Sequence, residues 1–262
     1  MRGDERLLPS TITPWLATAR FGRRLYYYPE TGSTNDVALE LARGGESEGT
    51  VVFTDYQRGG RGRRDHTWSS APGRDLLFSV ILRPGGASSS VLPVTLALSL
   101  ATSVLLTRAT GAGVGVKWPN DVVTEAGKVA GILAEASHAG GQASFVVVGV
   151  GVNVNAIEFP PDIGPAVSCR GLLGGELDRA SLFADLLGTM ETYYDRFRAD
   201  GFGPLVSSFN ERLRERGRRV RVVEGGPPGS GVVRGVDASG GLEIETGNGV
   251  RVLHGETVEE SM

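Results

Sequence analysis

KWPNDVVTEAGKVAGILAEASHAGGQASFVVVGVGVNVN occupies residues 117–155. Two apolar runs, 128–136 and 145–154, flank a turn-forming cluster at His138 to Gly141, which predicts an antiparallel hairpin. The stretch also holds both lysines of the chain, Lys117 and Lys128, among 27 basic residues. Where arginine supplies nearly all the positive charge, lysine marks positions at which a compact, mobile ammonium does what a planar guanidinium cannot. Gly131 lies in mid-strand, where a glycine often marks close approach of a ligand to the backbone. If alternation holds, Lys128, Ala130 and Ile132 share one face. Lys128 is then either an edge residue reaching outward or a pocket cation, and the scarcity of lysine favours the cation. Lys117-Trp118-Pro119-Asn120-Asp121 follows a short strand at Val114 to Trp118. Asn120 and Asp121 either cap their own turn or offer the amide and carboxylate that a magnesium–phosphate site takes. The residues leave both readings open. Gly149 and Gly151 beside Asn153 and Asn155 permit close approach with two amide contacts, or mark only a bulge.

Upstream, strands are expected at Leu25 to Tyr28, Thr50 to Asp55 and Leu76 to Leu82. Ser33 reads as the cap of a helix ended by Gly44-Gly45. The alternative use of Gly32-Ser33-Thr34-Asn35-Asp36 is recognition of a urea-like or carboxylate ligand by small hydroxyl and amide groups. Between the second and third strands lies Tyr56-Gln57-Arg58-Gly59-Gly60-Arg61-Gly62-Arg63-Arg64-Asp65-His66-Thr67-Trp68. Open backbone N–H groups at the glycines can nest an anion, and the arginines can grip phosphate or carboxylate oxygens bidentately. A solvated loop, an arginine-glycine RNA-binding segment and a nucleotide-phosphate loop all fit. The third fits best, although no Gly-Lys-Ser/Thr ends the loop as in a P-loop.

The 262 residues carry a net charge of −3, which argues against a general nucleic-acid or membrane-surface binder. Cys169 is the lone cysteine, so no internal disulfide forms; a small buried residue in a reduced cytoplasm is expected. His66, His138 and His254 have no ligand-like spacing and no cysteine cluster accompanies them, which argues against a zinc site. No apolar run precedes Pro9 in the manner of a signal peptide. Val91 to Leu106 is apolar but interrupted by Pro93, Thr95, Ser99, Thr102 and Ser103, and reads as a buried helix. Leu182 to Phe197 and Leu205 to Leu213 are helical by period. After Gly217, short strands at Val220 to Val223, Gly231 to Val236, Leu242 to Thr246 and Val250 to Leu253 alternate with glycine turns, the texture of a small all-β barrel.

Ser33-Thr34-Asn35, Gly60-Arg61-Gly62-Arg63 with Trp68, Lys117-Trp118-Pro119-Asn120-Asp121, Lys128-Val129-Ala130-Gly131-Ile132-Leu133 and Gly149-Val150-Gly151-Val152-Asn153 occur in the order seen in biotin protein ligases. Arg234-Gly235-Val236-Asp237 and Gly255-Glu256 resemble that family's C-terminal domain. The resemblance covers nearly the whole chain and implies an α+β fold. A mixed β-sheet flanked by helices, shared with lipoate ligases, would occupy residues 1–217, and a small SH3-like β-barrel residues 218–262. Residues 1–24 leave no room for a DNA-binding helix-turn-helix, so the ligase-only type is expected, with no DNA or membrane partner.

The resemblance further implies an ATP-dependent ligase forming a carbon–nitrogen bond. It would activate biotin as biotinyl-5′-AMP with Mg²⁺ and transfer it to a lysine of a biotin carboxyl carrier protein of acetyl-CoA or related carboxylases. Ser33, Thr34, Asn35, Gln57, Gly60, Arg61, Gly62, Arg63, Lys128 and Gly131 would bind biotin. Arg61, Arg63, His66, Trp68, Asn120, Lys128 and Asn153 would bind ATP, and Asp121 the metal. Lys128, Arg63 and Arg61 would be catalytic, with Lys128 bridging carboxylate and α-phosphate, and Trp68 would pack near adenine. His66 stands where the family usually has another arginine, which implies weaker ATP binding that tightens as pH falls towards 6. A lipoate or octanoate ligase or transferase of the same fold is the nearest alternative; a non-enzymatic RNA-binding module is the remote one. Monomer and weak homodimer both remain open.

Overall fold

The computed structural model describes residues 6–64, 66–85, 91–139 and 142–261. In chain order the elements are α1 (Pro9–Ile12), β1 (Leu25–Tyr28), α2 (Thr34–Arg43), β2 (Val51–Thr54), β3 (Leu76–Leu82), α3 (Val91–Thr110), β4 (Gly115–Lys117), β5 (Asp121–Thr124), β6 (Gly127–Ala139), β7 (Gln142–Val152), α4 (Cys169–Leu173), α5 (Arg179–Asp200), α6 (Val206–Arg212), β8 (Arg219–Glu224), β9 (Gly229–Val236), β10 (Leu242–Thr246), β11 (Gly249–Leu253) and β12 (Thr257–Glu260). A seven-stranded sheet has the order β1-β2-β3-β7-β6-β5-β4. Its β1–β2 pair is parallel and every other pair antiparallel. The expected hairpin is the β6–β7 pair at the centre, and residues 140–141 of its turn lie outside the described residues.

Alternation along β3 and β7 sends two apolar sets to opposite faces. Leu76, Phe78, Val80, Val146, Val148 and Val150 join the large core with α3 and α5, whereas Ile81 and Val147 pack with Ala38 and Ala42 of α2. The helix α3 is long and apolar enough to cross a membrane by length and composition, but most of its side chains are buried in this core. Because α2 is only ten residues long, it covers only part of its face. The rest of that face carries the site.

The last five strands form an antiparallel sheet, β11-β10-β9-β8-β12, around Val220, Val233, Val236, Leu242, Ile244 and Leu253. It docks on the larger sheet through buried Trp118, whose Nε1 donates to Gly240 O at 3.1 Å. Cys169 is buried, and burial pushes its thiol up to about 12, which makes it unreactive. Four elements are not evident from the sequence: α1, β5, which reads only as the sequel to a turn, β12, and α4, capped by Ser168 Oγ accepting from Gly171 N–H.

Candidate functional site

Cross-strand register builds the floor of the site. Opposed residues of antiparallel strands point the same way, so Leu77, Gly151, Gly131 and Asp121 form one row across β3, β7, β6 and β5. Ser79, Gly149 and Leu133 form the next row. Three glycines strip side chains from the middle of both rows, and other residues enter that space. A Cβ at Gly149 would lie 2.2 Å from Asn35 Oδ1; one at Gly151 would lie 2.4 Å from the Trp68 indole. Above this floor is a cavity of about 620 Å³.

The parity expected along β6 is broken. The register with β5 shifts between Val122 and Val123, so Val122 faces Ala130 but Val123 faces Lys128. This one-residue bulge moves Lys128 from the face of Ala130 and Ile132 to the face of Gly131. Ala130 and Ile132 are buried in the large core, while Lys128 lies over Gly131, with Cε 3.0 Å from where a Cβ would be. Lys128 Nζ is 2.6 Å from Asp121 Oδ1 and 5.5 Å from the centre of the Trp68 ring. Both lysines of the chain line the cavity.

At the other end of the cavity, Thr34 N–H and Oγ1 donate to Gln57 Oε1 at 2.8 and 3.1 Å. Ser79 Oγ donates to Asn35 Oδ1 at 2.6 Å, and Asn35 Nδ2 donates to Glu135 Oε2 at 2.6 Å. Ser33 occupies the cap position of α2, but its side chain makes no cap bond and lines the cavity instead. Ser79 and Glu135 fall in no motif, so sequence reasoning misses them; only pairing across strands brings them to Asn35.

The loop arginines diverge, whereas the resemblance implies that Arg61 and Arg63 both meet biotin and ATP. Arg61 Nη2 contacts Asp36 Oδ1 at 2.6 Å and Glu135 Oε2 at 3.0 Å, at the Asn35 end. Glu135 is seven residues beyond Lys128, roughly 20 Å along the strand. Two carboxylates from separate elements hold Arg61 there, a pull no local spacing reveals. Arg63 Nη1 lies 3.5 Å from Asn120 Oδ1, near Lys128 and Asp121. Burial, followed by the neighbouring Arg64, holds its guanidinium below the usual range; it remains a cation.

Of the remaining residues expected at the site, Gly62, His66, Trp68 and Gly131 line the cavity, and Gly60 and Asn153 do not. Gly60 holds the base of the loop, its carbonyl accepting from Trp68 N–H at 2.9 Å. Asn153, expected to contact ATP, is buried and donates to Lys128 O at 3.2 Å and Val167 O at 3.3 Å, so it secures the strand end. Asn155 likewise pairs with the backbone of Leu177. Trp68, expected near adenine, lies on Gly131 and Gly151.

Glu215, between the two sheets, accepts from Trp118 N–H at 3.1 Å and so holds the Lys117–Asp121 segment. Its Oε2 is buried without a partner, and burial pushes its carboxyl up to about 7. A carboxyl whose folded value is raised binds its proton more tightly in the native state. Its protonated form therefore favours folding at low pH, and that contribution is lost as pH rises from about 4.5 to about 7. Urea unfolding of wild type and Glu215→Gln across this range should show a steeper fall for wild type, on the order of 1–3 kcal/mol. Parallel profiles would assign the buried carboxyl no such role.

Among the described residues no group of three or more His, Cys, Asp or Glu is placed to hold a metal. The donor set of Asn120 and Asp121 suits only a hydrated cation that brings phosphate oxygens with it, which is how Mg²⁺ is commonly held.

The sequence model of the biotin/lipoate A/B protein ligase family matches residues 27–153, and that of the biotin protein ligase C-terminal domain residues 217–256. The bifunctional ligase/repressor BirA of Bacillus subtilis is 30% identical over 97% of this chain and 79% of its own length. The biotin–[acetyl-CoA-carboxylase] ligase of Mycobacterium tuberculosis is 33% identical over 93% of this chain and 90% of its own. A biotin protein ligase from Aquifex aeolicus, solved in complex with biotin and ATP, superposes with a TM-score of 0.81 at 28% identity. The match covers 91% of this chain and 100% of that one. The fold, the order of the motifs and these relatives agree: the chain belongs to the biotin protein ligase family.

Proposed function

We propose that this chain, a catalytic domain over residues 1–217 and a barrel over 218–262, is an ATP-dependent biotin protein ligase acting on a biotin carboxyl carrier protein. The observation that carries the reading is one cavity with two chemically distinct ends on a glycine floor. The Thr34–Asn35–Gln57 end offers hydroxyl and amide groups suited to a ureido ring. An apolar dithiolane or alkyl chain would leave such groups poorly partnered, which disfavours lipoate and octanoate. The Lys128–Arg63 end offers cations suited to a carboxylate meeting a triphosphate.

In the first step a biotin carboxylate oxygen attacks the α-phosphorus of ATP, pyrophosphate leaves and biotinyl-5′-AMP forms. Two like charges at 3–4 Å repel by about 4 kcal/mol at an effective dielectric near 20. Lys128 between them offsets much of this, and Arg63 takes charge that develops on phosphate oxygens. Asp121, with Asn120 beside it, would hold Mg²⁺ delivered with the nucleotide, and the ion would supply further charge neutralisation. Trp68 and the loop exclude water from a hydrolysable anhydride. In the second step the amine of a carrier lysine attacks the biotinyl carbonyl and AMP leaves. No side chain here needs to form a covalent intermediate.

Pyrophosphate–ATP isotope exchange tests the proposal, with biotin, lipoate, octanoate and no acid compared. Exchange with biotin alone is expected. Exchange with a lipoyl-type acid would replace the substrate, and no exchange in folded protein would remove the enzyme reading.

A further inference from the structure

Arg64 matches none of the roles given to its neighbours. It is the one non-glycine residue with positive φ among those described, at 52°, a conformation that a side chain disfavours. Arg64 lines the cavity, and its guanidinium reaches the C-terminal barrel. Nη1 pairs with the Glu224 carboxylate, and Nη2 donates to Gly255 O at 2.7 Å. Arg63 Nη2 donates to the same carbonyl at 3.1 Å. The receiving surface is shaped for this contact. A Cβ at Gly225 would lie 2.1 Å from Arg64 Nη2, so a side chain there would displace the guanidinium from this position. Glu256 Oε2 accepts from the N–H groups of His254 and Gly255 at 2.8 and 2.9 Å, which fixes the turn that presents the Gly255 carbonyl. The hydrogen bond from Arg64 holds the Glu224 carboxyl below its usual range, as expected of an ion pair. Immediately beyond Glu256, Thr257 and Val258 line the cavity.

We propose that Arg64 is a positioning residue: seated on Glu224, Gly225 and Gly255, it lets the barrel hold the arginine-glycine loop over the cavity and so retain the adenylate. The retention role rests on the ligase reading above; the contact itself does not. An ion pair with a carboxylate and a hydrogen bond to a carbonyl hold one side chain that spans two domains. Losing Arg64 frees the loop to open; losing Glu224 leaves the bond to Gly255 O and frees it less, and losing both frees it no further than losing Arg64.

Two measurements on the full chain test this in wild type, Arg64→Ala, Glu224→Ala and the double variant. Glu224 is exposed at the barrel surface, so its replacement leaves the fold intact. Amide hydrogen exchange over residues 58–68 without ligand should be about tenfold faster in Arg64→Ala, faster by a smaller factor in Glu224→Ala, and no faster in the double than in Arg64→Ala. Release of free biotinyl-adenylate, with biotin and Mg·ATP but no acceptor, should rise by a similar factor. Pyrophosphate exchange at saturating ATP should stay within about twofold of wild type. Wild-type loop amides that exchange as fast as those of the variants would overturn the seat. Additive effects, or leakage from Arg64→Ala without any from Glu224→Ala, would overturn the pairing with Glu224 as the seat. A wild-type chain that makes no adenylate would overturn the ligase reading and the retention role with it, while the exchange arm still decides the contact.

Discussion

Lys128→Arg should lower biotin-dependent pyrophosphate exchange at saturating substrates by about 10²–10³-fold, the range found when one preorganised donor to developing charge is removed. The substitution keeps the charge, so the loss would come from shape. The ammonium lies over Gly131, beside the Trp68 ring and 2.6 Å from Asp121 Oδ1. That space suits a point charge which can turn from Asp121 to two incoming anions. A guanidinium is wider and planar, and it would take Asp121 in a bidentate pair that withholds both groups from the nucleotide. Isotope exchange on purified variant with a native melting curve is the measurement. A rate within about threefold of wild type would leave Lys128 as a structural partner of Asp121 and remove the argument from lysine scarcity.

Gly149→Ala should raise the KM for biotin by about 10–100-fold, the cost of breaking one or two buried hydrogen bonds, with the KM for ATP within about twofold. The added Cβ would fall 2.2 Å from Asn35 Oδ1 and 2.9 Å from its Cγ. Asn35 is buried and cannot yield without releasing Ser79 and Glu135, and Glu135 in turn holds Arg61. The damage is confined to the end of the cavity remote from Lys128, so the two Michaelis constants separate. A melting curve guards against simple overpacking, which would cost about 1–3 kcal/mol of stability. An unchanged biotin KM in folded protein would show that Asn35 does not shape the biotin end.

Much of the fold is legible in the amino-acid sequence because it depends on neighbours along the chain. The β6–β7 hairpin follows from two apolar runs around a turn, the strand Leu76–Leu82 from a nearly continuous apolar run, and the barrel strands from short runs between glycine turns. The chemistry is legible where a residue type is rare in its background. Lys117 and Lys128 are the chain's only lysines, and both line one cavity. Motif order carries the family assignment for the same reason: it is a property of the chain as written.

Other features require the chain to be folded. Parity along β6 fails because the bulge that moves Lys128 to the face of Gly131 arises from pairing with β5. Arg61 turns to Asp36 and Glu135, and Arg64 to Glu224, because carboxylates 25, 74 and 160 positions away come within contact only when strands and barrel assemble. Asn153 has the residue type of a ligand contact, yet the backbone carbonyls of Lys128 and Val167 claim it first. By itself the sequence determined most of the elements, their order, and which residue types are available for catalysis, since backbone propensity and apolar period act over a few residues. Tertiary structure alone decided where each charge and amide points. Long polar side chains are directed by partners distant in sequence, and burial requires nearly every one of their polar atoms to find a partner.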